Sequence, residues 1–147
     1  MLKLLKLAPQ GAGRAALDLA RVLLVHGELA PRLALQTILQ AGGYAVDVAG
    51  TPAEAIGKMD EGQYELVLSE SDLGQGNISR NLLAYARVKD YRPATALITS
   101  SDPAPDGFGT GHEVSIYTED LPDLLAEVAE LIGVRASRRY RPLRQAV

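Results

Sequence analysis

Arg21-Val22-Leu23-Leu24-Val25-His26-Gly27-Glu28 reads as a strand that runs out into polar groups. Four apolar residues in succession suit a strand covered on both faces of a parallel sheet. The run then stops on an imidazole, a glycine and a carboxylate. Tyr64-Glu65-Leu66-Val67-Leu68-Ser69-Glu70 and Ala96-Leu97-Ile98-Thr99-Ser100 repeat the form, apolar first and polar at the C-terminal end. In an open parallel α/β sheet that edge is where sites are built.

Helical periodicity fills the intervals. Pro31 suits the first residue of a helix, Leu35, Ile38 and Leu39 recur on one face, and Gly42-Gly43 stop it. Tyr44–Ala49 alternates as a strand. Thr51-Pro52-Ala53-Glu54 is a capping box with proline in the first turn, leading to Ala55, Ile56 and Met59 on the inner face. Asn77 or Ser79 is placed to cap a helix running to about Lys89. Thr95–Thr99 and Val114–Tyr117 supply two more strands. The last helix spans roughly Leu121–Ile132 with Gly133 as its stop. Strands alternating with helices, without hairpin signals, predict a parallel sheet. Between the fourth and fifth strands, Pro103, Pro105, Gly107, Gly109 and Gly111 disfavour a helix interior, so the fourth crossover helix is expected to be shortened or replaced by a loop.

Composition sets the outer bounds. The chain has 147 residues, enough for one domain with its own core, and contains no cysteine, so disulfides and thiolate metal sites are excluded. No stretch of 18 or more apolar residues is present to span a membrane. The net charge of −3 divides unevenly: +2 over residues 1–19, −10 over 20–134 and +5 over 135–147. An acidic body argues against nucleic-acid binding by the body itself. Three parts are expected: an N-terminal extension (1–20), a domain (21–133) and a basic tail (134–147). Lys6 interrupts the apolar start of the extension, which leaves it too short for a signal peptide. An amphipathic turn, an interfacial anchor and an unstructured leader all fit it.

The order and spacing of these elements over Arg21–Gly133 resemble the receiver domain of two-component response regulators. The resemblance implies a flavodoxin-like three-layer sandwich with five parallel strands in the order 2-1-3-4-5. It also implies a phosphotransfer site: an acidic pair after the first strand for magnesium, an aspartate acceptor after the third, a hydroxyl after the fourth and a lysine after the fifth. Here His26 and Gly27 stand at the acidic pair, with Glu28 following. Glu70 stands at the acceptor, Thr99 at the hydroxyl with Ser100 beside it, and Tyr117 at the lysine. Magnesium needs hard oxygen ligands, and the glutamate carboxylate stands one methylene further out than an aspartate. The chain is therefore expected to be an atypical receiver, a pseudo-receiver with no catalytic residue, no resident metal and no magnesium cofactor.

Each residue has a plainer reading. Glu70 is either a fixed charge imitating a phosphorylated aspartate or a solvated carboxylate in a decayed site. Asp72 is either a displaced acceptor or a loop aspartate. His26, Glu28 and Glu70 have ligand types that suit zinc or manganese, though a hydrogen-bonded histidine at a sheet edge explains His26 as well. Gly74-Gln75-Gly76-Asn77 stands before a helix, where an anion can dock, or is simply the loop beside the acceptor. Arg135, Arg138, Arg139, Arg141 and Arg144 form a disordered tail or a docking segment for an acidic partner or nucleic acid. The expected function is a stand-alone, non-enzymatic, cytoplasmic signalling module acting by protein–protein contact. The partners implied are signalling proteins, a histidine kinase among them. A receiver still open to phosphorylation, a small-molecule sensor and a tail-mediated nucleic-acid regulator are the alternatives.

Overall fold

A computed structural model of the chain describes residues 19–71, 73, 77–99, 114–117 and 121–146, with backbone alone at 117, 121–122 and 138–146. The strands are β1 (Arg21–Val25), β2 (Ala45–Ala49), β3 (Leu66–Glu70), β4 (Ala94–Thr99) and β5 (Ser115–Tyr117). The helices are α1 (Leu29–Ala41), α2 (Pro52–Glu61), α3 (Ile78–Arg87) and α4 (Leu121–Ala146). All strand pairs are parallel, in the order β2-β1-β3-β4-β5. This is the flavodoxin-like arrangement anticipated from the sequence.

Strand alternation sends successive side chains to opposite faces, and the two faces carry separate cores. Val22, Leu24, Leu66, Leu68, Ala96 and Ile98 meet Leu35 and Leu39 of α1 and Leu124 and Val128 of α4. Leu23, Val25, Val67 and Leu97 meet Ala55 and Met59 of α2 and Leu82, Leu83 and Ala86 of α3. Because β1 and β3 lie inside the sheet, every residue from Val22 to Val25 and from Leu66 to Ser69 is buried. That double burial explains why both strands read as unbroken apolar runs.

Helix ends follow local chemistry, with three departures from expectation. Thr51 Oγ1 accepts the Glu54 amide at 3.1 Å, and Glu54 Oε1 accepts the Gly50 amide at 2.9 Å, so the box reaches one residue further back. The first departure is at α1, which starts at Leu29, placing Pro31 third; an imino nitrogen costs nothing there, since first-turn amides have no partner within the helix. Gly43 takes φ +102° in the turn to β2, a region costly for a side chain. The second is at α3, which begins after Asn77, whose side chain makes no capping bond, while Ser79 is buried and committed elsewhere. The third is at α4, which continues through Gly133 to Ala146, so residues 134–146 are helical rather than a disordered tail. A single helical glycine costs only about 1 kcal/mol. Just past it, Arg135 ties the helix to the body: Nε donates to the Arg92 carbonyl at 2.9 Å and Nη2 to the Tyr91 carbonyl at 2.7 Å. The crossover between β4 and β5, on which a shortened helix was expected, lies outside the described residues, as does the extension up to residue 18. Among the described residues, no helix is long and apolar enough to cross a membrane.

Candidate functional site

Parallel pairing brings the C-terminal ends of the strands to one edge. Val25 lies opposite Ser69, so His26 and Gly27 emerge beside Glu70. The His26 amide donates to the Ala49 carbonyl at 3.0 Å, carrying the β1–β2 ladder one residue further. Gly27 then donates its amide to Glu70 Oε1 at 3.1 Å. Glu70 thus ties the loop after β1 to the end of β3 through its carboxylate. Its side chain is 20% exposed, which makes it a held group rather than a freely solvated one.

His26 Nδ1 has two neighbours that make opposite demands. It accepts the Glu28 amide at 3.2 Å, and it stands 3.4 Å from Glu70 Oε1. An imidazole nitrogen accepts or donates, never both. While Nδ1 accepts the Glu28 amide it is not also a donor to Glu70, so the two contacts are alternatives. The His26 side chain is 12% exposed. Glu28 is exposed and contributes its amide to His26; as N-cap of α1 it makes no side-chain capping bond.

Two residues that the sequence did not single out for this site complete it. Arg32, on the first turns of α1, donates Nη1 to the His26 carbonyl at 2.9 Å. It rests against Gly50, where a Cβ would lie 2.7 Å from the same nitrogen. Gly50 therefore keeps open the space the guanidinium occupies. Ser79 of α3 donates to the Glu70 carbonyl at 2.7 Å, and Ser69 donates to the same oxygen at 3.1 Å. Both serines are buried, and both hydroxyls are satisfied there. Neither contact leaves a mark in the sequence, because the partners are backbone carbonyls 6 and 9 residues back, a spacing set by how the strand ends meet α1 and α3 rather than by any local motif.

The remaining expected residues are placed unevenly. Thr99 ends β4 one residue past Ile98, which lies opposite Glu70, and the Tyr117 backbone pairs with Thr99. Asp72, Ser100 and Gly74–Gly76 lie outside the described residues. Arg135 belongs to the opposite end of the sheet, where its guanidinium binds backbone carbonyls. Arg138, Arg139, Arg141 and Arg144 fall on the helical backbone of α4. Among the described residues, no three metal-ligating side chains converge. His26 and Glu70 approach each other, but the exposed Glu28 does not join them as a third ligand.

No model of a known protein family matches the sequence, and a comparison with curated proteins finds no match. Solved structures do match. A receiver domain protein from Methanospirillum hungatei shares 22% identity at a TM-score of 0.69, covering 82% of this chain and 99% of its own. The chemotaxis protein CheY4 of Vibrio cholerae shares 19% at 0.66, covering 78% and 99%. The response regulator TrrA of Thermotoga maritima, crystallised with Mg(2+)-BeF, shares 24% at 0.64, covering 76% and 98%. At these identities the likeness shows the fold: the chain has the fold of response regulator receiver domains.

Proposed function

We propose that this chain is a cytoplasmic signalling module of receiver type that acts by protein contact, with Glu70 as a permanent negative charge where other receivers acquire a phosphoryl group. The observation that carries this reading is the bond from the Gly27 amide to Glu70 Oε1. The carboxylate is engaged by the backbone of the loop after β1, and its position depends on no incoming group.

Three features support the absence of phosphotransfer. An acyl phosphate on Glu70 would form at a carboxylate whose Oε1 already accepts an amide, one methylene beyond the aspartate position. A magnesium ion is usually held by one or two carboxylates together with phosphate and water. In place of the acidic pair, His26 offers an imidazole and Gly27 no side chain at all. Tyr117 offers a phenol where the resemblance implies a lysine. The chain then has no catalytic role and no resident cofactor, and its state is set by its partner, by a ligand or by its abundance. Its partners are signalling proteins.

The test is affinity capture from cell extract with wild type and Glu70→Gln side by side. Glutamine keeps the Oε1 acceptor for Gly27 and removes the charge. Loss of specific partners in the variant supports the reading. An identical partner set, at unchanged affinity, contradicts it.

A further inference from the structure

The opposite edge of the sheet carries a second concave feature. Between the turn that follows α3 and the middle of α4 lies a groove of about 820 Å³. Val88, Val114 and Val134 line it and stand 77%, 41% and 42% exposed. Exposed aliphatic side chains brought together on a concave surface mark a place where something binds.

Charge says what kind of thing. Among the described lining residues, Arg87, Lys89, Arg92 and Arg135 face the single acid Asp90. This reverses the sign of a body that carries −10 over residues 20–134. The four cations are not equivalent. Lys89 is paired with Asp60 at 2.6 Å, and Arg135 is tied to backbone carbonyls. Arg92 is exposed and has no acidic partner among the described residues. Its backbone is also unusual, with φ +49° in the left-handed region. Its amide donates to the Lys89 carbonyl at 2.9 Å, and its carbonyl accepts Arg135 Nε at 2.9 Å. The fold holds a strained residue in place there, and strain of this kind clusters at functional sites.

We infer that this groove binds an acidic segment of a partner protein: a stretch rich in aspartate or glutamate, bearing an aliphatic residue that seats among the three valines. Residues 1–19 carry +2, the sign of the groove itself, and residues 135–146 belong to α4, whose Arg135 is part of the groove wall, so neither supplies the acidic segment. The inference rests on the protein-contact reading and adds to it the surface and the chemistry of the partner.

The probe is a library of random twelve-residue peptides selected on the full chain, with the affinities of the selected peptides measured by fluorescence anisotropy. The expected result is enrichment of acidic residues around a Leu, Ile or Val. Binding should weaken at least tenfold in Arg92→Glu and in Val134→Asp, fall as salt rises, and be unchanged in Gln40→Ala on α1. Circular dichroism checks that each variant is folded. Selection without acidic bias, or peptides that bind all variants alike, overturns the inference. Self-association seen by sedimentation and abolished by Arg92→Glu, without peptide binding, assigns the groove to a second copy and overturns it equally. Failure here leaves the Glu70 dependence of partner capture standing, and loss of that dependence leaves peptide binding standing.

Discussion

One carboxylate and one imidazole set the character of the site. Glu70 holds the Gly27 amide through Oε1, and the neighbouring His26 Nδ1 serves the Glu28 amide. In Glu70→Gln the acceptor survives, so chemical unfolding should show a change of no more than ~1 kcal/mol, the scale of one ordinary hydrogen bond. In Glu70→Ala the Gly27 amide loses its partner, and its hydrogen exchange should accelerate while the core amides stay protected. Restoring acids is the converse experiment. His26→Asp, Gly27→Asp and Glu70→Asp together place three carboxylates at adjoining strand ends, a donor set suited to magnesium. A rise in Tm with added magnesium is expected for the triple variant and not for wild type. Equal responses of the two proteins would contradict the view that these substitutions removed the ion site.

At the scale of elements, legibility followed whether a signal was local. The strands Val22–Val25 and Leu66–Leu68 were readable because double burial leaves an unbroken apolar run. The Thr51–Glu54 box was readable because its partners lie three residues apart. The length of α4 was not, since Gly133 is a common stop and what carries the helix onward is Arg135 reaching carbonyls 43 and 44 residues away. Arg32 and Ser79 were missed as site residues because each bonds a backbone carbonyl 6 or 9 residues back that belongs to no local motif, whereas His26, Gly27 and Glu70 followed from strand-end positions. Arg135→Ala removes two charge-assisted bonds and should cost about 2 kcal/mol by denaturant unfolding, with loss of helicity in the distal part of α4. Tyr64 makes a comparable tie at the start of β3. Its hydroxyl donates to Asp47 Oδ2 at 2.7 Å, and Arg21 stacks on its ring at 4.9 Å. Burial, and then the Asp47 carboxylate, push the phenol well above its ordinary value of 10.0. The unfolded chain therefore loses this proton first, so the contribution is complete below about pH 10 and declines as pH rises beyond it. Stability measured across that range should fall less steeply in Tyr64→Phe. Part of the slope should remain, because burial raises Tyr91 as well.

Taken whole, the molecule has a sheet with two ends of different character. At the C-terminal edge, strand order and register gather His26, Gly27 and Glu70 around one carboxylate that accepts a backbone amide. At the other edge a basic groove interrupts an acidic body. The sandwich that joins them is buried on both faces. Leu68, 1% exposed in the core shared with α1 and α4, should cost about 3 kcal/mol when cut to alanine, enough to lower Tm markedly without altering the strand order. The central proposal is that this chain signals without acquiring a phosphoryl group. The most direct test is intact-mass measurement of the full chain after incubation with magnesium and acetyl phosphate. An unchanged mass is the predicted result. A gain of one phosphoryl group, mapped by peptide fragmentation to Glu70 or Asp72, would contradict it.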